Sequence, residues 1–152
     1  MKNKFKTPDP KKARRYFSRK LAFTTGPVEL GRWLKERKDI KVLDVRDAKS
    51  FARGHLPGAV NLPEEKWHKT TALDKRKTYI VYSDTPTCHL AASAAFELSS
   101  QGFPVMELEG GFETWKQKGR PVEKRSAERK PAKHNPPEQS VEEMPQPEAA
   151  PA

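Results

Sequence analysis

The chain contains a single cysteine, Cys88, among its 152 residues. One thiol cannot form an intrachain disulfide, and it cannot supply a cysteine cluster that binds a metal. The histidines His68, His89 and His134 do not have the spacing of metal ligands. We therefore predict neither a metal centre nor any other cofactor.

Long apolar runs are also missing from the chain. No stretch is long enough to span a bilayer, and residues 1–20 lack the apolar segment of about 7–15 residues that marks a secretory signal. The sequence therefore predicts a protein without a transmembrane segment, located in the cytoplasm. The basic N-terminus leaves an organelle transit peptide as an alternative, although it contains Asp9.

Acidic residues are scarce only at the N-terminus. Residues 1–20 hold nine lysines and arginines and one acid, whereas residues 21–119 hold 15 basic and 13 acidic residues. The net charge of +10 thus belongs mainly to an N-terminal arm. Such an arm could attract nucleic acid or an anionic membrane without sequence selectivity. It carries no recognised binding motif, so we do not predict that function.

Large apolar residues are few after residue 120. Residues 121–152 contain seven of the 14 prolines, which remove backbone donors and restrict the chain. Too little apolar surface is present to offset the entropy lost on ordering. We expect disorder from about Lys124 onward.

Helical and strand patterns alternate between the arm and the tail. A helix is predicted to begin at Gly26-Pro27, a second one covers residues 90–100, and a third follows Gly110-Gly111. Four short runs favour strands: residues 40–46, 58–62, 78–82 and 104–108. Strands separated by helices indicate an α/β fold with a parallel sheet covered on both faces.

The loop after Tyr82 is the candidate binding site. It connects the strongest predicted strand with the strongest predicted helix, and its residues are Ser83, Asp84, Thr85, Pro86, Thr87, Cys88 and His89. Ligands bind beyond the carboxyl ends of strands in open α/β sheets. Backbone N–H groups and the helix dipole can converge there on an anion such as a thiolate, persulfide, phosphate or sulfate.

Four motifs in order resemble the rhodanese family. They are Asp44-Val45-Arg46, then Gly54-His55-Leu56-Pro57-Gly58-Ala59, then the loop after Tyr82, and finally Leu108-Glu109-Gly110-Gly111-Phe112 with Trp115. The resemblance covers roughly residues 21–122. It implies a three-layer α/β domain with a mostly parallel, five-stranded central sheet. It also implies sulfane-sulfur transfer through a cysteine persulfide.

An additional likeness to the family's entry segment at residues 16–25 places the domain start near Arg15. We therefore expect a basic arm at residues 1–14, a rhodanese-like domain at residues 15–123, and a disordered tail rich in Pro, Glu and Lys at residues 124–152.

The resemblance places the family's catalytic cysteine at the position of Ser83. A hydroxyl cannot carry a sulfane sulfur as an S–S bond, so the ordinary mechanism is lost. Cys88 is the one thiol that could replace it, because the start of a helix favours a thiolate and His89 could assist. The alternative, which we prefer, is that Cys88 packs against the start of the helix.

Three further residues have two interpretations each. Asp44 and Arg46 could order the loop through charge-assisted hydrogen bonds, as the resemblance suggests, or form a structural ion pair. His55 could act as a general base or a metal ligand, but we expect it to hold a turn.

The loop with Ser83 and Cys88 is compatible with two functions. The first is a catalytically silent module that binds an anion or a protein partner through the loop. The alternative is an active sulfurtransferase that receives sulfur on Cys88 from a small sulfur anion or a persulfide donor. A phosphatase on this fold needs a cysteine at the loop start and an arginine at its end. No arginine lies between Ser83 and Phe96, so we exclude it.

Overall fold

A computed structural model describes residues 6–37 and 39–124. All of the predicted tail except Lys124 lies outside these residues. The helices are α1 Pro10–Phe23, α2 Pro27–Glu36, α3 Ala48–Arg53, α4 Leu90–Ser100 and α5 Gly111–Gln117, with a 3-10 turn at Glu64–Lys66. The strands are β1 Thr24–Thr25, β2 Ile40–Asp44, β3 Val60–Asn61, β4 Thr78–Tyr82 and β5 Val105–Leu108.

The five strands form one sheet in the order β1-β5-β4-β2-β3, and every pairing is parallel. The longest pairing joins β2 and β4 in the centre, with Ile40 opposite Thr78 and Asp44 opposite Tyr82. The predicted α/β class and the five-stranded sheet are therefore confirmed. The predicted strand at residues 58–62 shrinks to two paired residues at the sheet edge.

Alternation along the strands builds an apolar core on each face of the sheet. Side chains of successive strand residues point to opposite faces. One face packs against Ala94 and Leu98 of α4 through the side chains of Leu43, Val45, Tyr79 and Val81. The other face packs against Leu30 of α2, Trp115 of α5 and Leu56 through the side chains of Val42, Ile80 and Tyr82. The sheet is thus the middle layer of three.

Helix α1 precedes the sheet and has no buried residue. Asp9 caps it by accepting a hydrogen bond from Lys11 N at 2.8 Å, and Lys20 Nζ lies 3.0 Å from Glu109 Oε1 after the end of β5. The expected boundary between residues 14 and 15 falls within this helix. The sequence patterns did not predict helix α1, because its many cations resemble those of an unstructured arm.

Candidate active site

Ser83 begins the loop at the carboxyl end of β4 and is 2% exposed. The first turn of α5 packs directly against it. Phe112 N donates to Ser83 O at 2.8 Å, and Glu113 N donates to Asp84 O at 2.9 Å. The loop is therefore fixed by the chain that follows β5, as well as by β4 itself.

Gly111 makes this close approach possible. Its φ is +61°, and a Cβ atom built on it would lie 2.5 Å from Ser83 O. A side chain there would require both an unfavourable backbone conformation and a displaced loop. The second glycine of the predicted Gly110-Gly111 turn is thus required for the conformation of the site.

The guanidinium of Arg46 connects the strand end, the loop and the turn after α3. Its Nε lies 2.9 Å from Asp44 Oδ1, and its Nη1 lies 2.9 Å from Asp84 Oδ1. Its Nη2 donates to Gly54 O at 2.6 Å. Of the three residues predicted to support the loop, Asp44 and Arg46 thus lie together beside the loop residue Asp84.

Burial and the charge of Asp44 shift the pKa values of Arg46 and Tyr82. Burial alone lowers the pKa of Arg46, but the hydrogen bonds and charge of Asp44 outweigh it, so the pKa lies above its usual range. Burial, followed by the negative charge of Asp44, raises the pKa of Tyr82. Its hydroxyl stays protonated and donates to Asp44 Oδ2. At neutral pH the guanidinium of Arg46 is therefore charged and the hydroxyl of Tyr82 is neutral.

His55 contacts the C-terminal side of the domain. Its ring stacks on Phe51 with a centroid separation of 3.8 Å, and its Nδ1 lies 2.8 Å from Phe51 O. Its backbone pairs with Glu123 through hydrogen bonds of 2.8 and 2.9 Å. In the described residues its contacts therefore hold the segment after α5, and none of them reaches the loop.

A cleft of about 490 Å³ opens in front of Ser83, and we call it the Ser83 cleft. Its walls are formed by the loop, by the end of β5 with the following turn, and by α1 with Thr24. The lining residues are Ser83, Thr85, Pro86, Glu107, Leu108, Glu109, Gly110, Gly111, Tyr16, Lys20 and Thr24. Residues 16–24, which the sequence placed just inside the predicted domain, thus contribute one wall.

The charges of the Ser83 cleft differ from those of a simple anion cradle. Two carboxylates, Glu107 and Glu109, face one ammonium, Lys20, which is paired with Glu109. Burial and the nearby Glu109 raise the pKa of Glu107, while His89 acts in the opposite direction. Sequence analysis missed these carboxylates, although their place at the end of a predicted strand was a usable signal.

Cys88 is partly exposed and is not among the residues that line the Ser83 cleft. Its backbone N donates to Thr85 O at 3.2 Å. The next residue, His89, lines a separate surface with Trp67 and His68. The predicted loop residues therefore do not line one common site: Ser83, Thr85 and Pro86 line the Ser83 cleft, whereas His89 lines the other surface. Ser83 and Cys88 do not share a cleft.

Residues 6–37 and 39–124 contain no group of three or more His, Cys, Asp or Glu side chains that could hold a metal ion. None of the helices in the same part of the chain is both long and apolar enough to cross a membrane.

Comparison with known proteins agrees with this fold and loop. Residues 27–118 match the rhodanese-like domain family, which is more than half of the chain. The chain belongs to the rhodanese-like domain family. The match contains the Arg46 cluster, the loop from Ser83 to His89, and α5.

Several relatives of this rhodanese-like domain are thiosulfate sulfurtransferases. The GlpE proteins of Coxiella burnetii and Shewanella oneidensis are 38% and 36% identical to it over 88 and 87 residues. These alignments cover 55% and 54% of this chain and 78% and 81% of the relatives. The crystal structure of the BH2092 protein from Bacillus halodurans is similar with a TM-score of 0.72 and 35% identity. That likeness covers 77% of this chain and 88% of the other.

Proposed function

We propose that this rhodanese-like domain does not perform standard sulfur transfer from thiosulfate and serves as a module that binds a small anion or a protein partner. The observation that carries the proposal is the position of Ser83. It is the first residue after β4, is almost fully buried, and occupies the cleft position at which the resemblance puts the catalytic cysteine.

The chemical reason lies in the bond that must form. In sulfur transfer, a thiolate attacks the outer sulfur of thiosulfate, an S–S bond forms, and sulfite leaves with the electron pair of the broken bond. The hydroxyl of Ser83 cannot form a comparable persulfide.

The alternative is an active enzyme that carries the persulfide on Cys88. Two observations favour this alternative: Cys88 is the single thiol of the chain, and it is partly exposed just before α4. The relatives named thiosulfate sulfurtransferase make thiosulfate the donor to test. Against it, Cys88 lies outside the Ser83 cleft.

Mass spectrometry of the intact protein after incubation with thiosulfate decides between the two functions. The matched control is Cys88→Ser, which removes the thiol and adds no bulk. An unmodified wild-type mass supports the silent module. An adduct of one sulfur atom on the wild type, absent from Cys88→Ser and removed by cyanide as thiocyanate, would establish the alternative.

Binding can be measured without any sulfur chemistry on the Cys88→Ser variant. Isothermal titration with thiosulfate and with sulfate should then give saturable heats if the loop region binds small anions. A flat titration with both anions would leave protein partners as the ligands of the proposed module.

A further inference from the structure

A second cleft, of about 400 Å³, lies beside Asp84 and shares no lining residue with the Ser83 cleft. We call it the basic cleft. Its walls come from α3, from α5 and from the segment after α5. Its charged lining residues are Asp84, Arg46, Arg53, Lys116 and Lys124, and we call the last three the rim cations.

The three rim cations of the basic cleft are only partly offset by nearby acids, since Asp47 lies close enough to Arg53 for the two charges to interact. Among the ion pairs of the described residues, none involves Arg53, Lys116 or Lys124. The one carboxylate that lines the cleft is Asp84, and Arg46 already occupies it at 2.9 Å. The basic cleft therefore carries a positive field, in contrast to the Ser83 cleft.

Arg53 is oriented by the start of its own helix. Its Nη2 lies 3.1 Å from Ser50 Oγ, and Ser50 Oγ donates to Asp47 Oδ2 at 2.7 Å. Asp47, the acid nearest to this chain of contacts, also caps α3 by accepting from Lys49 N and Ser50 N. Arg53 is thus held in place while most of its N–H donors stay available to a ligand.

Lys116 is oriented by the ring of Phe112. Its Nζ lies 4.9 Å from the ring centroid, and the guanidinium carbon of Arg46 lies 4.1 Å from the same centroid. The ring and the side chain of Val122 give the basic cleft an apolar wall between its cations. A ligand in the basic cleft could therefore make charged and apolar contacts next to each other.

We propose that the basic cleft binds a small organic phosphate or sulfonate, an anion that carries an apolar group. The unpaired cations favour an oxyanion, because charge-assisted hydrogen bonds to phosphate-like groups are strong. The volume falls within the range of about 300–1,000 Å³ typical of small-molecule sites, and it is too large for an inorganic ion alone. Phe112 and Val122 would contact the apolar group. This site is independent of whether Cys88 carries sulfur.

Titration of the full chain followed by ¹H–¹⁵N NMR tests this site, with phenyl phosphate and inorganic phosphate as probes at low salt. We expect saturable shifts at the amides of Gly54, Phe112 and Lys116, and tighter binding of phenyl phosphate. Shifts centred on Ser83 and Gly110 would overturn the proposal, as would the absence of saturation. Equal affinity for the two probes would reject the apolar contact and the proposed ligand class.

A matched pair of variants separates a site from general surface charge. Lys116→Gln should weaken phenyl phosphate binding by about tenfold, because one charge-assisted hydrogen bond is lost. Lys118→Gln removes the same charge two residues away, where the side chain lines a different surface with Pro27 and Arg32. It should change the affinity by less than about twofold. Equal losses in both variants would overturn the proposal, and spectra like that of the wild type show that each variant is folded.

Discussion

Arg46 donates to two carboxylates that lie in very different surroundings. Its Nη2 is 2.6 Å from Asp44 Oδ2, and its Nη1 is 2.9 Å from Asp84 Oδ1. The Asp44 side chain is 0% exposed, whereas the Asp84 side chain is 55% exposed. One guanidinium therefore joins the end of a central strand to the loop. Its two ion pairs differ in burial and in geometry, because Asp44 accepts from both Nε and Nη2 whereas Asp84 accepts from Nη1 alone.

The two ion pairs should have very different effects on stability. Asp44→Asn removes the fully buried charge partner of Arg46, leaves only the exposed Asp84, and should reduce the free energy of unfolding by about 3–5 kcal/mol. Asp84→Asn removes a solvent-screened partner and should cost less than about 1 kcal/mol. Urea denaturation at neutral pH measures both. Equal losses in the two variants would mean that burial does not set the strength of these pairs.

Two glycines with similar backbone conformations separate strain from steric clash. Gly111 and Gly119 have φ values of +61° and +65°, but a Cβ atom has free space only at Gly119. Gly119→Ala should cost about 1–2 kcal/mol from the left-handed conformation alone. Gly111→Ala should cost about 1–3 kcal/mol more, because its Cβ meets Ser83 O.

Thermal or urea unfolding of the two glycine variants gives this difference directly. Chemical shifts of Ser83 and Asp84 should move in Gly111→Ala and stay unchanged in Gly119→Ala. If both variants lose the same stability, the loop yields to the new side chain without cost, and Gly111 is not required for its conformation.

The parallel sheet and the loop could be predicted from the sequence because their signals are local. Apolar, β-branched runs at residues 40–46 and 78–82 identified the two central strands, and the helix at residues 90–100 has the same bounds in the structure. The loop follows from these assignments, since it is the segment between β4 and α4. Local patterns were sufficient wherever a single element carried the information.

The environment of the loop could not be predicted in the same way, because it depends on distant segments. Strand β1 has only two residues and becomes a strand by pairing with β5. Lys20 of α1 reaches the Ser83 cleft through its ion pair with Glu109. The charges of the Ser83 cleft depend on this packing, and no sequence motif records it.

Glu107 should destabilise the fold when it is ionised. Burial raises its pKa above the value in the unfolded chain, so the charged form is penalised in the folded state at every pH above the raised pKa. Below the unfolded pKa both states are protonated and the penalty vanishes. Glu107→Gln should therefore raise the thermal midpoint at about pH 7, and the gain should disappear near pH 3.5.

Circular dichroism melts at the two pH values test the role of Glu107, with Glu65→Gln as the control at an exposed site. The control variant should change the midpoint little at either pH. A gain in Glu107→Gln that persists at the lower pH would show that the ionisation of this carboxyl is not the cause.

Ser83→Cys should restore sulfur transfer if the loop is aligned correctly with that of the rhodanese-like family. The new thiol would stand at the start of the loop, inside the Ser83 cleft, and could take the outer sulfur of thiosulfate with release of sulfite. Made in a Cys88→Ser background, the variant has one thiol at the site, so any adduct of one sulfur atom is assigned without ambiguity. Thiocyanate formation with cyanide should rise well above the wild-type level.

A correctly folded variant that stays inert would mean that the carboxylates of the Ser83 cleft, Glu107 and Glu109, repel the dianion or that the loop is misaligned. Adding Glu107→Gln then distinguishes the two causes, because it should restore activity only in the first case.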